Sequence, residues 1–140
     1  MDLVRAYALS FLNAPYKFGG ETIDGIDCSG LVQVILKSAG IDPPGDQTAQ
    51  DLLNHFDKAG TYGKIGLGSL AFYGKSVTQV GHVAFMIDNY RIIEAAGGDA
   101  LTITRADAVA KNAFVRIRLL KYRPDLVAVI KPSYVTIGYM

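Results

Sequence analysis

The chain is predicted to be an α+β domain, and three observations predict it. Up to Phe56 the apolar side chains recur at helical spacing; from Leu70 on, short runs rich in β-branched and aromatic residues take over; the glycine-rich stretch Gly60–Gly68 separates the two regimes. The 140 residues, 50% of them apolar, suffice for one buried core. Halves of about 70 residues each would be marginal alone. Residues 1–140 are therefore read as a single domain, with a core over about 1–120 and a C-terminal extension over 121–140.

Leu3, Val4, Tyr7, Ala8 and Phe11 lie on one face of a first helix, which Asn13 and Pro15 close. The stretch from Pro15 to Gly30 holds Gly19, Gly20, Gly25 and Gly30 and reads as a loop that turns tightly. Asp27 is a good N-cap for a second helix from Cys28 to Ala39, apolar almost all round and stopped by Gly40. After the rigid turn Pro43-Pro44-Gly45, Asp46 can cap a third helix with the stripe Ala49, Leu52, Leu53 and Phe56. Strands are expected over Leu70–Tyr73, His82–Ile87, Arg91–Ala95, Leu101–Thr104 and Phe114–Leu120, with Asp88-Asn89-Tyr90 as a hairpin turn. The apolar tail Pro124–Met140 reads either as an edge strand or as a segment that packs on a partner.

Charge and termini exclude several functions at this stage. With 14 basic and 13 acidic residues and a net charge of +1, there is no electrostatic footprint for nucleic acid or an anionic membrane. Met1–Ala8 carries Asp2 and Arg5 where a secretory signal would need a basic segment followed by an uncharged one, and no apolar run approaches the ~18–20 residues of a membrane span. The expectation is synthesis in the cytoplasm without a Sec signal and without a membrane partner. The one cysteine allows no intrachain disulfide, which suits a reducing compartment and equally a thiol enzyme exported late.

That cysteine, Cys28, stands at the first turn of the second helix, where unpaired amides and the positive end of the helix dipole favour a thiolate. The same position also suits a thiol that merely packs the loop–helix junction. A nucleophile needs a base, and there are two histidines. His55 sits beside Asn54 and Phe56 on the third helix, with no other chemistry nearby, and reads as a solvated side chain. His82 opens the most apolar strand, His82-Val83-Ala84-Phe85-Met86-Ile87, where a polar ring needs partners. A three-residue turn around Asn89 puts Glu94 opposite Ala84, diagonal to His82 on the same face and within reach of it. A one-residue change in that turn sends Glu94 to the other face, as an exposed strand acid.

Other chemistries fail on spacing. Gly74-Lys75-Ser76 lacks the earlier glycine of a phosphate-binding loop, because position 69 is Ser69. Gly66-x-Gly68-x-x-Ala71 has no strand before it and no helix after it, as a dinucleotide site requires. No HExxH and no paired cysteines suggest a metal, and no cofactor is expected.

Four segments together resemble the NlpC family of papain-like cell-wall cysteine peptidases: Pro15-Tyr16-x-Phe18-Gly19-Gly20, Asp27-Cys28-Ser29-Gly30-Leu31-Val32, Gly68-Ser69-Leu70-Ala71-Phe72-Tyr73 and Gly81-His82-Val83-Ala84. The resemblance spans about residues 1–105 and is most specific around Cys28. It implies a papain-like fold, with the nucleophile helix packed on an antiparallel sheet, and hydrolysis of peptidoglycan stem peptides, commonly between γ-D-glutamate and a diamino acid. By position it implies Cys28 as nucleophile and His82 as general base and then acid. Tyr16 would lie near the oxyanion, and Asp27 and Ser29 would meet the amino end of the substrate. Where the family commonly has histidine, asparagine or glutamine as third catalytic residue, this chain has Glu94; where it has Gly-Asp-Leu, this chain has Gly68-Ser69-Leu70.

The expected function is thus a cysteine endopeptidase acting through a thioester, with a peptidoglycan peptide as partner. The alternatives are an amidase or acyltransferase using the same dyad, and a catalytically silent binding module. Lacking a Sec signal, the enzyme would reach the cell wall by another route: as part of a phage or prophage tail, at lysis, or through a secretion partner. Phe114–Met140 would be the docking segment.

Overall fold

A computed structural model describes residues 1–134 of the chain. In order, the elements are α1 (Asp2–Leu9), β1 (Glu21–Thr22), β2 (Gly25–Ile26), α2 (Cys28–Ser38), α3 (Ala49–Ala59), β3 (Gly60–Tyr62), β4 (Leu70–Ser76), β5 (Gln79–Met86), β6 (Arg91–Ala96), α4 (Arg105–Lys111), β7 (Phe114–Leu119) and β8 (Leu126–Pro132). Six strands form one antiparallel sheet in the order β3-β8-β4-β5-β6-β7, while β1 and β2 pair as a small separate hairpin. The predicted α+β class is the observed one.

Alternation along the strands divides the buried residues between two faces. Phe72 of β4, Phe85 of β5, Ile93 of β6, Val115 of β7 and Ile130 of β8 pack with Leu31 and Ile35 of α2 and Leu52 and Phe56 of α3 into the main core. Each such side chain, fully buried, contributes roughly 1.5–3 kcal/mol. The intervening Ala71, Tyr73, Ala84, Met86, Ile92 and Val129 form a smaller cluster with Leu120 on the opposite face. The near-continuous apolar sequence of α2 is explained by its burial, which extends to the polar Gln33. Gln33 is satisfied there: its Nε2 donates to Gly45 O at 3.1 Å, and its Oε1 accepts from Gln47 N at 3.2 Å, tying the proline turn to the helix.

Several expectations are corrected. Leu101–Thr104 is no strand, because acidic side chains capture its backbone: Asp99 Oδ1 accepts from Leu101 N at 2.9 Å, and Asp107 Oδ2 accepts from Ile103 N and Thr104 N at 3.1 and 3.0 Å. Thr104 caps α4 in a reciprocal box with Asp107. The third helix is capped by Thr48, boxed with Asp51, in place of Asp46. The first helix ends at Leu9, before Phe11. Gly60–Tyr62, expected as loop, pairs with the tail.

The largest correction concerns that tail. Residues 121–134, expected as part of an extension outside a core of about 1–120, supply β8, which lies between β3 and β4 and is hydrogen-bonded to both. It is neither an edge strand nor free to dock elsewhere. Apolar Val129 and Ile130 are buried in the two cores, which places them inside the sheet. Within the proposed docking segment Phe114–Met140, residues 114–119 and 126–132 are thus sheet, and 135–140 lie outside the described residues.

Candidate active site

The loop before α2 is built around Asp27. Its Oδ1 accepts from Gly30 N at 2.8 Å, capping the helix, and its Oδ2 accepts from Gly19 N at 2.8 Å, closing the loop; Ser29 Oγ donates to Oδ1 at 3.4 Å. Gly30 is required by close approach, since a Cβ there would lie 2.3 Å from Gly20 O. Asp27 and Ser29 are therefore bound to each other and to backbone, whatever else they meet. Cys28 follows as the first helical residue, half-buried against the main core.

The opposite wall comes from the sheet. Phe85 pairs with Ile93 and Met86 with Ile92, and Ile87 N donates to Arg91 O at 3.0 Å. The turn is thus the three-residue Asp88-Asn89-Tyr90, held by Asp88 Oδ1 accepting from Tyr90 N and Arg91 N at 2.8 Å each. One pair further along, this register brings Glu94 opposite Ala84 and diagonal to His82, as the sequence predicts. The two side chains meet: His82 Nε2 lies 2.6 Å from Glu94 Oε1, with Glu94 fully buried. His82 is not at the strand start as expected but inside β5, opposite Tyr73.

A cleft of about 230 Å³ brings these parts together, lined by Tyr16, Cys28, Tyr73, His82, Gly98 and Arg123 among others. Burial by itself would lower the pKa of His82, but its hydrogen bond to Glu94 and the proximity and charge of Cys28 and Glu94 push it up to about 9. Burial likewise raises Glu94, and the His82 contact outweighs it, so its pKa is lowered and the carboxylate stays ionised. With Nε2 committed to Glu94, Nδ1 is the ring nitrogen left for Cys28. Glu94 Oε2 makes no hydrogen bond among the described residues; the Tyr122 hydroxyl and Arg118 stand outside bonding geometry yet near enough to favour the charge.

Tyr16 is buried, and its ring leans on Gly98, where a Cβ would sit 2.2 Å from it. Burial first, then the charges of Cys28, Asp27 and Asp99, raise its pKa far above the ordinary value, so it stays a hydroxyl donor. The structure thus assembles Tyr16, Cys28, His82 and Glu94, with Asp27 and Ser29 at the adjoining helix start. His55 is exposed, its ring packed against Phe56. Tyr73 and Arg123 were missed by sequence reasoning. Tyr73 lies in a strand with nothing to distinguish it from core, and Arg123 in a tail whose path a sequence does not reveal. Tyr73 Oη donates to Leu120 O at 2.6 Å, fixing that tail over the site.

Residues 13–119 match the model of the NlpC/P60 family. The chain is 30% identical over 93 residues to the probable endopeptidase NlpC homologue of Haemophilus influenzae. That match covers 66% of this chain and 47% of that protein, so the chain spans about half the length of this curated relative. Among solved structures, it is similar to a lipoprotein-like NLP/P60 protein of Staphylococcus aureus, with a TM-score of 0.64 and 26% identity, covering 92% of this chain and 40% of that one. The NlpC/p60 domain of the peptidoglycan hydrolase SagA gives a TM-score of 0.61 at 23% identity, covering 90% of this chain and 94% of that one. The shared architecture is the papain-like one of helices packed on an antiparallel sheet, and the chain belongs to the NlpC/P60 family.

Proposed function

We propose that the chain is a cysteine peptidase of the bacterial cell wall, cutting peptidoglycan stem peptides at the amide between γ-D-glutamate and a diamino acid. One observation carries the reading: a half-buried cysteine at a helix start faces a histidine whose other nitrogen is held at 2.6 Å by a fully buried carboxylate. Family membership and the endopeptidase relative support it.

Cys28 Sγ, its proton passed to His82 Nδ1 beforehand, attacks the carbonyl carbon, giving a tetrahedral intermediate. Its oxyanion is met by the Cys28 amide, which as the first helical residue has no intrahelical acceptor, and by the Tyr16 hydroxyl, which burial keeps protonated. His82 returns the proton to the leaving nitrogen as the C–N bond breaks, leaving a thioester. Water then attacks with His82 as base, releasing the carboxylic acid and the thiol. Glu94 holds the ring with Nδ1 toward Cys28 and stabilises its charged form.

Digestion of purified peptidoglycan with the chain and with Cys28→Ala, followed by mass spectrometry of new amino termini, tests the reading. A diamino acid amino terminus that appears only with Cys28 is expected. No Cys28-dependent product from any wall chemistry would overturn the proposal in favour of a silent binding module.

A further inference from the structure

We propose that Arg123 forms a carboxylate-binding subsite on the leaving-group side of the cleft, so that the enzyme selects substrates whose leaving amino acid carries a free carboxylate. The inference rests on the peptidase reading above and names the substrate class of that site.

Arg123 lines the cleft that holds Cys28 and His82, yet it lies beyond residues 13–119, the segment shared with the family model. It is held rigidly. Its Nε and Nη2 donate to Asp125 Oδ1 and Oδ2 at 2.6 and 2.7 Å, and its guanidinium carbon stands 5.1 Å from the centroid of the Tyr73 ring. Asp125 is itself anchored, its carbonyl accepting from Gly74 N of β4 at 2.9 Å. This side-on pairing uses one edge of the guanidinium. The end-on fork, one hydrogen on Nη1 and the remaining one on Nη2, makes no hydrogen bond among the described residues, and it is the geometry that grips a second carboxylate. The side chain is one-third exposed, at 34%, so the fork is reachable.

The order of strands gives the direction. Across the cleft from β6 to β4, one meets first Ala95–Gly98 with Tyr16 leaning on Gly98, then His82 of β5, then Tyr73 and Gly74 of β4 with Arg123. His82 protonates the leaving nitrogen, so the wall beyond His82, away from Tyr16, faces the leaving group. An arginine locked there has its conformational cost already met and gains most from a ligand with two coplanar oxygens. The leaving amino acid offers such a group either as its main-chain carboxylate or, in a diamino acid with a second carboxyl, on its side chain.

The test uses γ-D-glutamyl peptides of diaminopimelate in three forms: both carboxylates free, the side-chain one amidated, and the main-chain one amidated. Binding to the Cys28→Ala protein is measured by calorimetry, with and without Arg123→Gln. One of the two amidations should weaken binding roughly 10- to 100-fold, the range for a charged hydrogen-bonded pair, and so identify the carboxylate. Arg123→Gln should erase that difference, and Arg123→Lys should restore only part of it, because it keeps the charge and loses the fork. No binding, no penalty from either amidation, or a penalty that survives Arg123→Gln overturns the subsite. If Arg123→Gln fails to fold, the Arg123→Lys result decides alone, an undiminished penalty counting against the proposal. Cleavage of the same peptides by the unsubstituted enzyme is read separately: selective binding without cleavage would sink the peptidase reading and leave the subsite standing.

Discussion

The two faces of the six-stranded sheet are made by alternate residues of the same strands, yet they are built to different ends. The face toward the helices is apolar at its centre: Phe72, Phe85 and Ile93 meet Leu31, Ile35 and Phe56, and the ionisable side chains of that cluster are the tyrosines Tyr16 and Tyr134, with Cys28 packed against it. The far face carries a small cluster of Ala71, Ala84, Met86 and Ile92, and into the same surface are set His82 and Glu94, with Tyr73 beside them. A close-packed apolar layer is cheap to maintain and holds the strand register. A buried ion pair is costly and persists where chemistry needs it. Cys28, at the start of α2 and packed against the helix-side core, lines the same cleft as His82, so the cleft draws its thiol from one layer and its imidazole from the other.

The sharpest break between chemistry and stability is expected at Cys28. Cys28→Ala should abolish peptide hydrolysis, by about 10³-fold or more, while the melting temperature stays within a few degrees, because the side chain is small and only half-buried. A variant that lost activity and stability together would place Cys28 with the packing layer. The reverse pattern is expected at Phe72, fully buried in the helix-side core. Phe72→Ala should cost about 3–5 kcal/mol in urea unfolding. The protein that remains folded should keep its turnover number. A fall in turnover comparable to that from Cys28→Ala would erase the distinction between the faces.

Glu94→Gln probes the far face without making a cavity. It should reduce kcat/KM by roughly 10- to 100-fold, since an amide still orients the ring but no longer stabilises its charge. The pH dependence follows from the shifts. His82 is raised from 6.5 to about 9 when folded, so its contribution to stability is complete below pH 6.5 and is lost as pH climbs through 9. Glu94 is lowered from 4.5, so its contribution is present above pH 4.5 and is lost as pH falls through the folded value. Stability should therefore be level between about pH 4.5 and 6.5 and decline by about 1–3 kcal/mol toward pH 9. In Glu94→Gln that decline should start lower and be shallower; melting curves of the two proteins that run parallel from pH 5 to 10 would refute the linkage.

How much of this is legible in the sequence depends on how local the cause is. The helix bearing Cys28 is readable because Asp27 and Gly40 mark its ends, and the contact of His82 with Glu94 because a three-residue turn fixes the register between neighbouring strands. Leu101–Thr104 misleads because alternating Leu, Thr, Ile and Thr imitates a strand, while Asp99 and Asp107, outside the run, take its amides for a turn and a helix cap. The place of β8 is hidden for another reason: its partners Gly60–Tyr62 and Leu70–Tyr73 are distant in the chain, and no local pattern records which strand it will enter between. Arg123 inherits that obscurity, since its position over Tyr73 follows from the return of the chain into β8.

The smallest expected effect is the most discriminating for the helix side. Thr48 caps α3, its Oγ1 accepting from Asp51 N at 3.1 Å while Asp51 Oδ2 accepts from Thr48 N at 3.0 Å. Thr48→Ala leaves Asp51 N without that acceptor and should cost about 1 kcal/mol. Thr48 is exposed and does not line the cleft. Because α3 packs on the helix-side face through Leu52 and Phe56, loosening its first turn should soften that layer slightly and leave kcat/KM unchanged. If Thr48→Ala instead lowered kcat/KM more than twofold at a temperature where the protein remains folded, small movements of the helix layer would be reaching Cys28 through α2. The apolar face would then have to be described as positioning the nucleophile as well as supporting the sheet.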